Sequence, residues 1–183
     1  MARVPEWAQQ GRAKWRWTGA ARPEFAAEPG AGQESVWDYS RPPRLERDVR
    51  LVEVRARDVL VARTERAVRV LETASPPTFY LPRADIVVEL TSAAGDSRCE
   101  WKGEATYWNV VAGGQVAEQA AWSYPDPFDD FAELAGLVSF YPARFACTLG
   151  GVAVAPQPGR FYGGWVTPEL TGPFKGEPGS EDW

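Results

Sequence analysis

The sequence predicts an all-β fold: a compact folded sheet or small barrel of roughly eight to ten short strands, with irregular arms and at most one or two short helices. Three observations carry this. Apolar stretches are short, alternate or run continuously apolar, and stop at turn residues. Glycine pairs, Gly113-Gly114 and Gly150-Gly151, stand between such stretches. A two-residue hairpin needs positive φ at both central positions, which glycine supplies. Little of the chain reads as helix.

Residues 1–43 are rich in Trp, Pro, Gly and Ala without a sustained period, and form an irregular arm that SRPP at 40–43 ends. The β domain then spans 44–155. VRLVEV at 49–54 and VLVAR at 59–63 read as strands. AVRVLE at 67–72 is open: Thr64 could cap a helix, whereas Val68 and Val70 favour a strand. PPT breaks the chain before FYLP, IVVELT at 86–91 is a strand, and AAGD turns the chain into SRCEWK. ATYWNVV at 105–111 meets VAEQAAW at 116–122 across AGGQ. PDPFDDFAE is a turn leading into a short helix with acids at its start. LVSFY at 137–141, FACTL at 145–149 and VAVA at 152–155 complete the strands. The Gly- and Pro-rich tail, 156–183, keeps Phe161, Tyr162, Trp165 and Phe174, which suggests that it packs on the body.

Composition excludes several chemistries. Hydrophobic residues make up 44% of the chain, enough for a core, and nine Trp must be buried or line a pocket. The net charge of −5 gives no support for nucleic-acid binding. The basic groups are mostly Arg, and those of 1–22 and 41–69 form either a basic front on the acidic body of 70–183 or mixed solvated surface. No apolar run is long enough for a membrane span, and the first residues lack a secretory pattern, so a cytoplasmic location is expected. Cys99 and Cys147 are then expected as free buried thiols.

The chain has no histidine, which removes Ser-His-Asp and Cys-His catalysis and every His-based metal site. Two cysteines cannot close a zinc site, and no phosphate-binding glycine motif is present. Proton transfer would fall to Glu, Asp, Lys, Tyr or Cys. No metal site and no cofactor are expected, since the acidic run at 126–133 lacks the alternating oxygen ligands of a calcium loop.

The segment CEWKGEATYW, Cys99–Trp108, holds one of few lysines. Read as one strand, it puts Cys99, Trp101, Gly103, Ala105 and Tyr107 on one face. Glu100, Lys102, Glu104, Thr106 and Trp108 share the other. Lys102 between two glutamates is either a solvated charge row or a pocket floor, with Gly103 permitting close approach and Trp108 as a wall.

Four segments, VLETASPPTFYLP at 70–82, CEWKGEATYW at 99–108, AAWSYPDP at 120–127 and VSFYP at 138–142, resemble the bacterial domain of unknown function 427 family. The resemblance covers about residues 49–143. The flanks at 34–46 and 156–176 look like extensions of its actinobacterial members. It implies a compact β domain of β-tent-like architecture, with no settled activity. The family carries a nucleotidyltransferase-like label, but that chemistry normally uses closely spaced paired carboxylates on Mg, and no Asp-x-Asp occurs here. The family motif falls on Glu72, Lys102, Gly103, Tyr107, Trp122, Tyr124 and Pro125. Two departures stand out: Ala74-Ser75 where the family commonly has a His, and Arg98-Cys99-Glu100 where it often reads His-Cys-Pro.

Two functions remain open. In the first the protein binds an unknown small molecule, and Lys102 holds its anionic group or acts as nucleophile or base, with Glu72 as counter-charge or general base. Trp108, Trp122 and Tyr124 form an aromatic wall, and Arg69, Glu104 and Tyr107 complete the candidate ligand-binding set. Alternatively, Glu72 is a structural ion-pair partner of Arg69 or Lys102. In the second the protein is a non-catalytic interaction or homodimerisation module, with Trp7, Trp15, Trp17, Trp37 and Trp165 on its partner surface, unless both arms wrap their own domain.

Overall fold

The computed structural model describes residues 4–159 and 161–183. Helix α1 (Glu6–Arg12) precedes strands β1 (Glu34–Ser35), β2 (Arg44–Asp48), β3 (Val52–Ala56), β4 (Val59–Thr64) and β5 (Ala67–Leu71). Next come β6 (Thr78–Pro82), β7 (Glu89–Cys99), β8 (Gly103–Ala112), β9 (Gln115–Ser123) and β10 (Leu137–Phe140). The last are β11 (Ala146–Leu149), β12 (Val152–Ala153), β13 (Ala155–Pro156), β14 (Trp165–Val166) and β15 (Leu170–Thr171). One antiparallel sheet has the order β2-β5-β6-β10-β9-β8-β7, and a second runs β12-β11-β3-β4. The larger sheet is open, with β2 and β7 at its edges, so the fold is a folded sheet and not a closed barrel. Among the described residues helical structure amounts to α1 and three 3-10 turns at Val36–Asp38, Arg83–Asp85 and Asp129–Leu134.

Period-two alternation assembles the layers. On β6, Phe79 and Leu81 enter the layer between the two sheets, where Val52, Val54, Val61 and Phe140 meet them. Tyr80 points to the opposite face, into a second cluster with Val68, Val70, Trp122 and Tyr124. Trp165 is fully buried in the first layer, 5.1 Å from the Phe79 ring, and its indole N–H donates to the Phe140 carbonyl at 3.2 Å. A third cluster, built on Val36, Trp37, Tyr39 and Leu71, ties the N-terminal arm to the β domain. Trp37 is buried there, with the rings of Trp17, Phe25 and Trp183 at 6.0, 5.2 and 5.3 Å. The aromatic arm thus packs on its own chain. Among the described residues no helix is long and apolar enough to cross a membrane.

Both glycine-pair hairpins form, with φ of 57° and 74° at Gly113 and Gly114, and 57° and 81° at Gly150 and Gly151. Residues 67–71 are strand, as the β-branched Val68 and Val70 favour. PDPFDDFAE gives a turn and a short 3-10 segment, anchored by buried Phe131 and Leu134.

Residues 93–96 correct the sequence reading. They do not turn the chain: β7 runs through them, with a register irregularity between Ser92 and Asp96 and φ 90° at Gly95. A positive-φ glycine serves a bulge as well as a turn. The reversal comes later, at Glu100–Lys102, where Cys99 pairs directly with Gly103 at φ 105°. CEWKGEATYW is therefore strand, three-residue turn and strand, and its alternation breaks in the middle. Helix α1 seats on this turn. A Cβ on Gly11 would lie 2.7 Å from that of Glu100, and the Arg12 guanidinium donates to the Glu100 carbonyl at 2.7 Å.

Candidate functional site

The face of the large sheet that carries Tyr80, Tyr107, Trp122 and Tyr124 is hollow. A cavity of about 240 Å³ opens there, covered by Trp15 from the arm and by Gln157, Tyr162, Gly163 and Lys175 from the tail. The turn at 100–102 swings Lys102 into it. Lys102 is 9% exposed, and its Nζ lies 5.8 Å from the centre of the Tyr124 ring. Among the described residues its ammonium makes no hydrogen bond and no ion pair. Burial works against its charge, while the anionic forms of Cys99, Tyr124 and Tyr80 and the Glu72 carboxylate raise its pKa, the phenols doing so only where they are ionised. As an ammonium Lys102 is suited to hold an anion.

The walls are aromatic and hydroxylated. Trp122 donates its indole N–H to the Tyr80 hydroxyl at 3.2 Å and lies 4.4 Å from the Tyr141 ring. Tyr107 shares a 2.8 Å hydrogen bond with Ser97. Burial pushes the Tyr80 phenol up to about 12 and raises Tyr124 as well, so both stay neutral at physiological pH.

The other expected residues separate into two groups. Glu72 lines the cavity, but its partner is neither Arg69 nor a hydrogen-bonded Lys102: Oε1 accepts from Arg41 at 3.0 Å. Tyr107, Trp122 and Tyr124 join Lys102 and Glu72 around the cavity. Arg69 lies away from it, bound to Glu34 and Glu46 at 3.2 Å each. Glu104 is exposed and pairs with Arg98 at 3.1 Å. Trp108 packs against the layer between the sheets, with its N–H on Ser123 at 2.9 Å. The strand alternation beyond Gly103 sends Trp108 and Tyr107 to opposite faces, so both cannot wall one pocket.

Sequence reasoning missed Lys175, Trp15, Tyr80 and Cys99. Lys175 is 3% exposed, and its Nζ lies 4.0 Å from the Trp15 ring centre while donating to the carbonyls of Glu181 and Trp183 at 3.2 and 2.5 Å. The rarity of lysine beside arginine was the available signal.

Burial, and then the Arg41 charge, lower the Lys175 ammonium to about 8. Unfolded, it titrates near about 10.4. Across the window between these values the unfolded state holds more protons, so this group's contribution to stability rises with pH; below it the penalty is complete. The stability of Lys175→Met relative to wild type should therefore be most favourable below pH ~8 and decline toward pH ~10.4. Urea unfolding at stepped pH tests this, and a flat difference would refute it.

Gly163 keeps the tail against the sheet. A Cβ there would overlap the Trp122 ring. Gly163→Ala should cost about 1–3 kcal/mol through overpacking. Thermal melts read the loss, and an unchanged midpoint would contradict this packing.

An open antiparallel folded sheet with a lysine-floored aromatic cavity defines a small β-domain protein with one hollow sheet face. Residues 44–150 match the family described as Domain of unknown function (DUF427), and the chain belongs to that family. All four segments that carried the resemblance fall inside the match. No curated protein matches the chain. Among the described residues no group of three or more His, Cys, Asp or Glu is placed to hold a metal ion.

Proposed function

We propose that the cavity binds a small organic anion with a planar, unsaturated body, and that Lys102 supplies the positive end. One observation carries this reading: a lysine 9% exposed lines a cavity with no hydrogen-bond or ion-pair partner among the described residues. Burying a charge unpaired is costly, and an anionic ligand supplies the partner. The rings of Trp122, Tyr80 and Tyr124 suit a flat apolar body. A volume of about 240 Å³ sits below the roughly 300 Å³ at which pockets for drug-sized ligands begin, and favours a metabolite of few atoms. Glu72, held by Arg41, borders the site as an oriented carboxylate.

Calorimetric titration with benzoate, phosphate and short dicarboxylates tests the reading, with benzamide as a neutral analogue of benzoate. Benzoate or a related carboxylate should bind and benzamide should not. At about a hundred times its dissociation constant the ligand should add roughly 2.7 kcal/mol to stability. Equal binding of benzoate and benzamide, or no anion bound, would overturn the proposal.

A further inference from the structure

Two thiols are free, and they occupy opposite environments. Cys147 is buried between the sheets, where desolvation pushes its thiol up to about 12. Cys99 is half-buried and lines the cavity. It closes the three-residue turn opposite Gly103, and that turn delivers Lys102 into the same cavity. Lys102 is nine-tenths buried and lacks a polar partner among the described residues. A fixed positive charge beside a thiol is the setting in which cysteines act as nucleophiles. The surrounding cavity is lined by phenols and indoles, which leaves the thiol as its soft nucleophile.

We infer that Cys99 is a nucleophile acting on small carboxylates that bear an electrophilic carbon with a leaving group, while Lys102 draws in the carboxylate. The inference rests on the anion site proposed above. In the step, the thiol proton passes to water, Sγ bonds to the electrophilic carbon, and the leaving group departs with the bonding electron pair. No oxidant or reductant takes part.

Alkylation of the full chain by iodoacetate and by its neutral analogue iodoacetamide tests this. Rates come from intact mass and peptide mapping, each divided by that of free cysteine with the same reagent. Wild type should be alkylated once, at Cys99, with a normalised iodoacetate rate at least about tenfold above the normalised iodoacetamide rate. Lys102→Met should bring that ratio close to one, and Lys102→Arg, which keeps the charge, should restore much of it. Cys147 stays unlabelled wherever the fold is intact, so its protection certifies each variant.

Cys99 reacting no faster than free cysteine with either reagent, with Cys147 protected, would overturn the inference. So would a ratio that Lys102→Met leaves unchanged. The benzoate titration on the same wild-type preparation separates the two ideas. Benzoate binding without enhanced alkylation removes the nucleophile and keeps the anion site, whereas no benzoate binding removes the reading beneath it.

Discussion

Replacing Arg41 by Met is expected to lower the unfolding free energy by about 3–5 kcal/mol, the cost of breaking a buried ion pair by removing one partner. The Arg41 side chain is 1% exposed and joins three parts of the chain. Its guanidinium donates to Glu72 at 3.0 Å, to the carbonyls of Trp17 and Thr73 at 3.0 and 2.9 Å, and to that of Trp183 at 3.2 Å. Trp15 lies over it, 4.2 Å from ring centre to guanidinium carbon. One side chain therefore fastens arm, β domain and tail around the cavity. Methionine fills much of the volume but leaves the Glu72 carboxylate and three carbonyls without their donor.

At about 2–4 °C per kcal/mol for a chain of this size, the melting midpoint should fall by about 6–20 °C. Arg41→Lys should recover little, because a single ammonium cannot reach so many acceptors in a planar fork. Limited proteolysis adds a spatial readout: cleavage in the arm and tail should appear before cleavage within 44–150. A midpoint within 2 °C of wild type would contradict the account.

The cavity is a joint product of the family domain and its flanks. Lys102, Glu72, Tyr107, Trp122 and Tyr124 lie within the matched residues, 44–150, whereas Trp15, Gln157, Tyr162 and Lys175 lie outside them. The floor belongs to the family core and the cover to the extensions. Glu72 shows the coupling most directly, since its arginine comes from just before the matched region.

The difference between what was legible and what was not follows from range. Strands and glycine-pair hairpins are local: Gly113-Gly114 and Gly150-Gly151 declare themselves because nearest-neighbour sterics demand glycine there. Gly95 and Gly103 both take positive φ, but whether such a glycine makes a bulge or a turn depends on the strand paired with it, which the local sequence does not contain. That ambiguity misplaced the reversal and, with it, the faces of CEWKGEATYW. Lys102 and Glu72 came out of the sequence because the family motif falls on them. Arg69, Glu104 and Trp108 were drawn to the same site by proximity in sequence, and pairing and pleat sent them elsewhere. Trp15 and Lys175 reach the cavity across most of the chain length, so no local pattern could join them.

Lys102→Met is expected to act with opposite signs on binding and on stability. A buried ammonium facing a ligand anion is a pair whose truncation typically costs about 2–5 kcal/mol, or roughly thirty- to several-thousand-fold in affinity. Benzoate binding should therefore fall below detection in Lys102→Met while remaining measurable in Lys102→Arg. The ligand-free protein has the reverse interest. At neutral pH the Tyr80 and Tyr124 phenols carry their protons, and the Glu72 carboxylate is already bonded to Arg41, so Lys102 draws little compensation for burial. Methionine, similar in length and uncharged, removes that burden and packs against Trp122 and Tyr124. Its melting midpoint without ligand should equal or exceed that of wild type, the mark of a residue kept for function at the expense of stability. A Lys102→Met protein that melts well below wild type would make Lys102 a structural residue, and unchanged benzoate affinity would remove it from the site.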